Sequence, residues 1–170
     1  MPRASELKKT CLVRATRELY QILWYNMMVQ TNSYPSGAVV YDIPYFADDR
    51  GAMNVLEIAR ELPFDCQRVF YTYTVSEGRV RGEHAHKVCE QFLIALGGKV
   101  SVSVDSGEVR DEFMLDTPSK GLWLPAGCWS EQFGHSSDCI LLVLASLPYD
   151  GADYIRSYGE FLSWKKGQAE

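Results

Sequence analysis

The chain has 170 residues, 46% of them hydrophobic, and a formal net charge of −5. That is the size of one domain with ample apolar material for a packed core. The acidic balance argues against a nucleic-acid-binding surface, though not against a local arginine cluster that holds a small anion. The five cysteines are Cys11, Cys66, Cys89, Cys128 and Cys139, and no CxxC occurs. This argues against a disulfide framework or zinc knuckle and suits a reducing, cytoplasmic compartment. No run approaches the ~20 apolar residues of a membrane span.

Residues 1–37 stand apart. "LVRATRELYQILWYNMMVQ" mixes charge with aromatics and lacks the apolar core of a signal peptide. It reads as an amphipathic helix or a poorly ordered extension. Residues 38–170 read as a single domain. Residues 38–43 and 52–58 are apolar runs, with a turn-like "DDRG" at 48–51 between them. In "RVFYTYT", Val69, Tyr71 and Tyr73 share one face, and Arg68, Phe70 and Thr72 the other. "KVSVSV" alternates cleanly, and "DSG" at 105–107 is a hairpin turn. Residues 113–115 and 122–124 are further strand segments. Residues 139–145 ("CILLVLA") are continuously apolar, as in a strand buried on both faces. Ile155, Tyr158, Phe161 and Leu162 recur at helical spacing near the end. The pattern predicts an all-β sandwich or barrel with a C-terminal helix.

The chemistry concentrates in "RGEHAHKVCEQ", residues 81–91. In a strand, His84 and His86 point the same way. Reading outward, Gly78, His84, His86, Glu90 and Gly97 have the spacing of the first signature of the cupin superfamily, which are jelly-roll barrels. The second signature, P-x-G-x-x-H, is matched at Pro125 and Gly127 but has Ser130 in place of its histidine. Two imidazoles and a carboxylate suffice for a facial metal triad. They equally suit acid/base chemistry without a metal, or a structural pair. The residues alone leave the three readings open. Arg68, Arg81 and Arg50 supply guanidinium groups for an anionic substrate. Tyr71 and Tyr73 supply phenols just upstream of the histidines.

"RGEHAHKVCEQ", "LDTPSKGLWLPAGCW" and "SSDCILLVLASLPYDGADYIRSYGEFL", taken in order, resemble the sugar nucleotide 3,4-ketoisomerases of the WxcM-like/FdtA type. "FADDRGAMNVLEI" and "CQRVFYTYT" fit as well. The resemblance spans roughly residues 38–164. It implies a cupin jelly roll, a homodimer with exchanged N-terminal strands, and no metal or other cofactor. It implies a dTDP-linked 4-keto-6-deoxyhexose as substrate and migration of the carbonyl from C4 to C3. The product serves 3-amino-3,6-dideoxy sugars of surface glycans such as O-antigen. By the same resemblance, His86 is the base at C3, His84 moves protons between oxygens or to C4, and Tyr71 is the acid, with Tyr73 in reserve. Arg81, Arg68 and Arg50 hold the substrate, Trp129 either walls the pocket or is a buried packing residue, and Ser130 borders the sugar. Glu90 orients a histidine or closes a structural hydrogen bond. The alternatives are a metal-dependent oxygenase on His84, His86 and Glu90, and a non-catalytic sugar-nucleotide-binding cupin. Ser130 departs from the family, which carries a basic residue there, and leaves the face protonated at C4 open.

Overall fold

The computed structural model describes residues 31–168. The helix or disordered extension expected before residue 38 falls almost wholly outside them. Its last residues join the sheet: β1 (Thr31–Ser33) pairs antiparallel with β2 (Val39–Asp42). Gly37 turns the chain between them with φ of 88°, a conformation open to glycine at little cost. β3 (Tyr45–Asp48) and β4 (Gly51–Asn54) form a separate hairpin. The expected strand over 52–58 stops there, and Ile58 opens the short helix α1 (Ile58–Glu61). Asn54 ends it by turning its amide onto Pro44 O (3.2 Å) and Ser119 Oγ (3.0 Å).

Eight strands follow: β5 (Arg68–Tyr73), β6 (Arg81–His86), β7 (Gln91–Gly97), β8 (Val100–Asp105), β9 (Arg110–Leu115), β10 (Lys120–Leu124), β11 (Trp129–Phe133) and β12 (Ile140–Ala145). A 3₁₀ turn (Gly151–Asp153), β13 (Tyr154–Ile155) and helix α2 (Tyr158–Gln168) complete the described chain. The barrel strands make two antiparallel sheets, ordered β1-β2-β10-β7-β12-β5 and β13-β6-β11-β8-β9. This is the predicted jelly-roll class. Ile155 departs from its helical reading. It pairs with Ala85 as a strand, and the helix starts only after Ser157, whose Oγ accepts from Glu160 N.

Alternation builds the core. Val100, Val102 and Val104 of β8 meet Leu93, Leu122 and Leu141 of the facing sheet, all fully buried. Burying each such side chain contributes about 1.5–3 kcal/mol. A second cluster, with Phe92 and Ile94, lies on the outer face of the six-stranded sheet under Ile43 and Leu62. A third packs Trp129, Ala85 and Ile155 against Phe161 of α2. The β6 strand therefore buries Ala85 outward, under the helix, and turns His84 and His86 inward.

Candidate active site

The inward turn of the histidines depends on a bulge. Gly82 and Glu83 both have positive φ (80° and 55°), and the β6–β11 register slips between Ser130 and Glu131. A Cβ at position 82 lies 2.8 Å from Ser130 O, so glycine alone fits the close backbone approach. Beyond the bulge His84 sits opposite Ser130, and His86 opposite Tyr154 of β13. The imidazole centroids are 5.0 Å apart, edge to face. The Tyr154 ring lies 4.3 Å from His86 and 4.9 Å from His84.

Each imidazole is anchored through Nδ1. That of His84 donates to Gly82 O at 2.7 Å, and that of His86 to Asp153 Oδ2 at 2.7 Å. A carbonyl and a carboxylate can only accept, so both rings carry the proton on Nδ1 and a lone pair on Nε2. The lone pair of His86 receives the Gln91 amide at 3.1 Å. No described residue hydrogen-bonds to Nε2 of His84. Burial pushes the His84 pKa down to about 4, and the neighbouring His86 and Arg156 add to the effect against the Gly82 and Asp153 contributions. Burial also lowers His86, opposed by Asp153 and reinforced by Arg68 and Arg156. At neutral pH both rings are neutral, as a proton acceptor must be.

The predicted residues divide. His84, His86 and Ser130 share the lumen. Arg68 joins them, its guanidinium over the Phe70 ring (5.1 Å) and its buried Nε without a partner. Arg81 lies at the far end of β6, about 17 Å of strand from His86. Tyr71 and Tyr73 do not reach the histidines. They are 62% and 59% exposed on the outer face of β5, beside a recess of about 380 Å³ lined by Thr74 and residues 137–140. The inward face of β5 is the one with Arg68, Phe70 and Thr72. Trp129 is not a pocket wall: it is buried outside the barrel, 5.9 Å from the Phe161 ring, and its indole N–H donates to Glu131. Arg50 projects at the tip of the β3–β4 hairpin, paired with Asp48.

Glu90 faces away from the histidines. Its carboxylate accepts from the Trp123 indole at 2.9 Å, so the triad of His84, His86 and Glu90 is not assembled. The described groups close enough to share a metal are His86, Cys89 and Asp153, whose donor atoms lie within 4.8 Å of one another. Nitrogen, sulfur and oxygen donors suit zinc. Here they are engaged internally: His86 with Asp153, and the Cys89 thiol with Glu90 O (3.4 Å).

Sequence reasoning missed Asp153, Tyr154, Gln91 and Arg156. Arg156 stacks over Tyr154 at 4.4 Å, and Arg68 lies 5.8 Å from the Tyr149 ring. Four of these aromatic and charged residues fall within "YDGADYIRSY", a block whose density of tyrosine and charge was the available signal.

The two sheets and the paired inward imidazoles define a cupin-type jelly roll with a lumen equipped for proton transfer. The model of the WxcM-like, C-terminal family (FdtA) matches residues 36–166, and the chain belongs to that family. It is 41% identical over 114 residues to the TDP-4-oxo-6-deoxy-α-D-glucose-3,4-oxoisomerase of Aneurinibacillus thermoaerophilus, covering 67% of this chain and 82% of that one. A sugar 3,4-ketoisomerase from Thermoanaerobacterium thermosaccharolyticum, solved in complex with TDP, superposes with a TM-score of 0.74 at 34% identity. The match covers 77% of this chain and 96% of that one. A 3,4-ketoisomerase from Helicobacter canadensis gives 0.73 at 34% identity, over 76% and 97% of the two chains.

Proposed function

We propose that the chain is a sugar nucleotide 3,4-ketoisomerase that moves the carbonyl of a TDP-linked 4-keto-6-deoxyhexose from C4 to C3. One observation carries the reading: two neutral imidazoles with fixed tautomers present their Nε2 atoms in one lumen. The C3 hydrogen is acidified by the C4 ketone. His86 takes that proton and leaves an enediolate across C3 and C4. A proton then reaches C4, the C3 hydroxyl loses its own, and O4 ends as the hydroxyl. His84 passes protons between the oxygens. Tyr154 takes the acid role that the sequence assigned to Tyr71, because it is the phenol beside both rings. Arg68 polarises the substrate beside His86, and Ser130 borders the sugar. A 3-keto product is the substrate an aminotransferase needs to install nitrogen at C3.

The working assembly is a homodimer in the cytoplasm. Val69, Tyr71, Tyr73, Leu96 and Ile140 form an exposed apolar face, the kind of patch that marks an interface. Exchange of N-terminal elements gives the projecting hairpin, with Arg50, a second subunit to reach. Arg81 contacts substrate from the far mouth of the lumen. Light scattering on the eluting protein reports the dimer, and a monomer there removes the route for Arg50.

The enzyme reading is tested by NMR of TDP-4-keto-6-deoxyglucose with the protein in D₂O. The expected result is a 3-keto product with deuterium at C4, and deuterium at C3 in substrate that reverts from the enediolate, both abolished in His86→Asn. Undiminished turnover by that variant sinks His86 as the base. Binding of the nucleotide sugar with no exchange favours a non-catalytic binding protein instead.

A further inference from the structure

We propose that Asp153 is the positioning residue that makes His86, rather than His84, the proton acceptor. This deepens the isomerase reading and rests on it. The two imidazoles share a tautomer and a lumen, and they differ in what holds Nδ1. His84 is held by a peptide carbonyl, His86 by a carboxylate. A lone pair on Nε2 allows a ring to accept a proton, but acceptance creates a buried imidazolium. A buried charge is costly without a partner of opposite sign. The carboxylate 2.7 Å from Nδ1 supplies that partner to His86. The Gly82 carbonyl offers His84 only a dipole, so His84 is the weaker base and carries a proton only in passing from one oxygen to the other.

The carboxylate is held in place before any substrate arrives. Its second oxygen accepts from Val88 N at 2.8 Å, and the Asp153 carbonyl accepts from Lys87 N at 2.9 Å. Both contacts come from the turn that follows β6. On the other side, β13 registers Tyr154 against His86 and Ile155 against Ala85, and Ile155 is buried in the third cluster. The Asp153 side chain is only 10% exposed, so water does not compete for the bond. A surface ion pair has none of this support. The Gln91 amide now on Nε2 marks the direction of the lone pair, and the substrate C3–H must take its place.

The test uses full-length protein labelled with ¹⁵N-histidine, together with Asp153→Asn and Asp153→Glu. The asparagine keeps an acceptor for Val88 N and presents an N–H donor to His86. Long-range ¹H–¹⁵N spectra are expected to show His86 protonated at Nδ1 in the parent and at Nε2 in Asp153→Asn, with His84 unchanged. Turnover of TDP-4-keto-6-deoxyglucose is expected to fall about 10²- to 10⁴-fold in kcat, the scale seen when a histidine is forced into the wrong tautomer. KM and the affinity for TDP stay the same, and Asp153→Glu recovers part of kcat. A parent His86 protonated at Nε2 overturns the proposal without any variant. So does an Asp153→Asn protein that keeps kcat near the parent's. A parent protein that forms no 3-keto product and exchanges no hydrogen at C3 overturns the isomerase reading, and the tautomer spectra then still decide whether Asp153 positions His86.

Discussion

Tyr154 and Tyr71 have the same side chain and opposite situations. One lies against both lumen imidazoles, and the other stands on the outer face of β5. Tyr154→Phe is therefore expected to lower kcat about 10²-fold, the low end of what a positioned acid contributes. Deuterium entry at C3 should persist in that variant while the 3-keto product is delayed. Tyr71→Phe is expected to leave both near the parent rate, and NMR of one reaction mixture reads the two together. A parent-like Tyr154→Phe removes the phenol from the proton path. The sequence made the histidines legible because HxH states its own geometry in any strand. It did not reveal which face of "RVFYTYT" points inward. Period-two alternation says which residues share a face, and only packing chooses the side. Asp153 and Tyr154 were hard to place for another reason: one ends a single 3₁₀ turn and the other opens a two-residue strand, and neither element has a period to detect.

The β6 bulge shows how much an element adds to its residues. Without the positive φ at Gly82 and Glu83, an uninterrupted ladder with β11 carries a different register at Ser130 and Glu131. Gly82→Ala puts a methyl group against Ser130 O and forces alanine into left-handed backbone. The expected loss is about 2 kcal/mol, from backbone strain and the steric shift together. Turnover should drop further than stability alone accounts for, since His84 takes its Nδ1 bond from the Gly82 carbonyl. Urea unfolding beside steady-state kinetics separates the two effects, and unchanged stability with unchanged kcat contradicts the account. Strands such as β8 and β5 were readable from alternation. β7 carries no alternation, and the signal that could have found it is the one that marked β12, a continuous apolar run buried on both faces. β11 was hidden by mixed polarity, with Ser130 and Gln132 buried toward the lumen and Trp129 beneath the helix.

For the molecule as a whole, the buried neutral histidines make stability depend on pH. The folded pKa of His84 is about 4 against 6.5 for the free side chain. Acidification protonates the unfolded chain first, so this part of the stability is complete above pH 6.5 and is lost as pH falls toward 4. With allowance for partial solvent access, His84 alone contributes on the order of 2 kcal/mol over that window. His86 adds in the same direction. Asp153 acts at lower pH. Burial opposes its charge, but the His86 and backbone hydrogen bonds outweigh that and hold its pKa below the ordinary carboxylate value. The urea midpoint is expected to fall steadily between pH 6.5 and 4, and a flat profile there contradicts neutral, buried imidazoles. No helix among the described residues is long and apolar enough to cross a membrane. The order in which the chain leaves the ribosome gives the β13–β6 pairing one more meaning. A polypeptide stopped after Ala145 already contains every strand of the barrel up to β12, both histidines included, but neither Asp153 nor Tyr154. The pair of imidazoles thus gains its carboxylate and its phenol only from a segment translated after all of those strands.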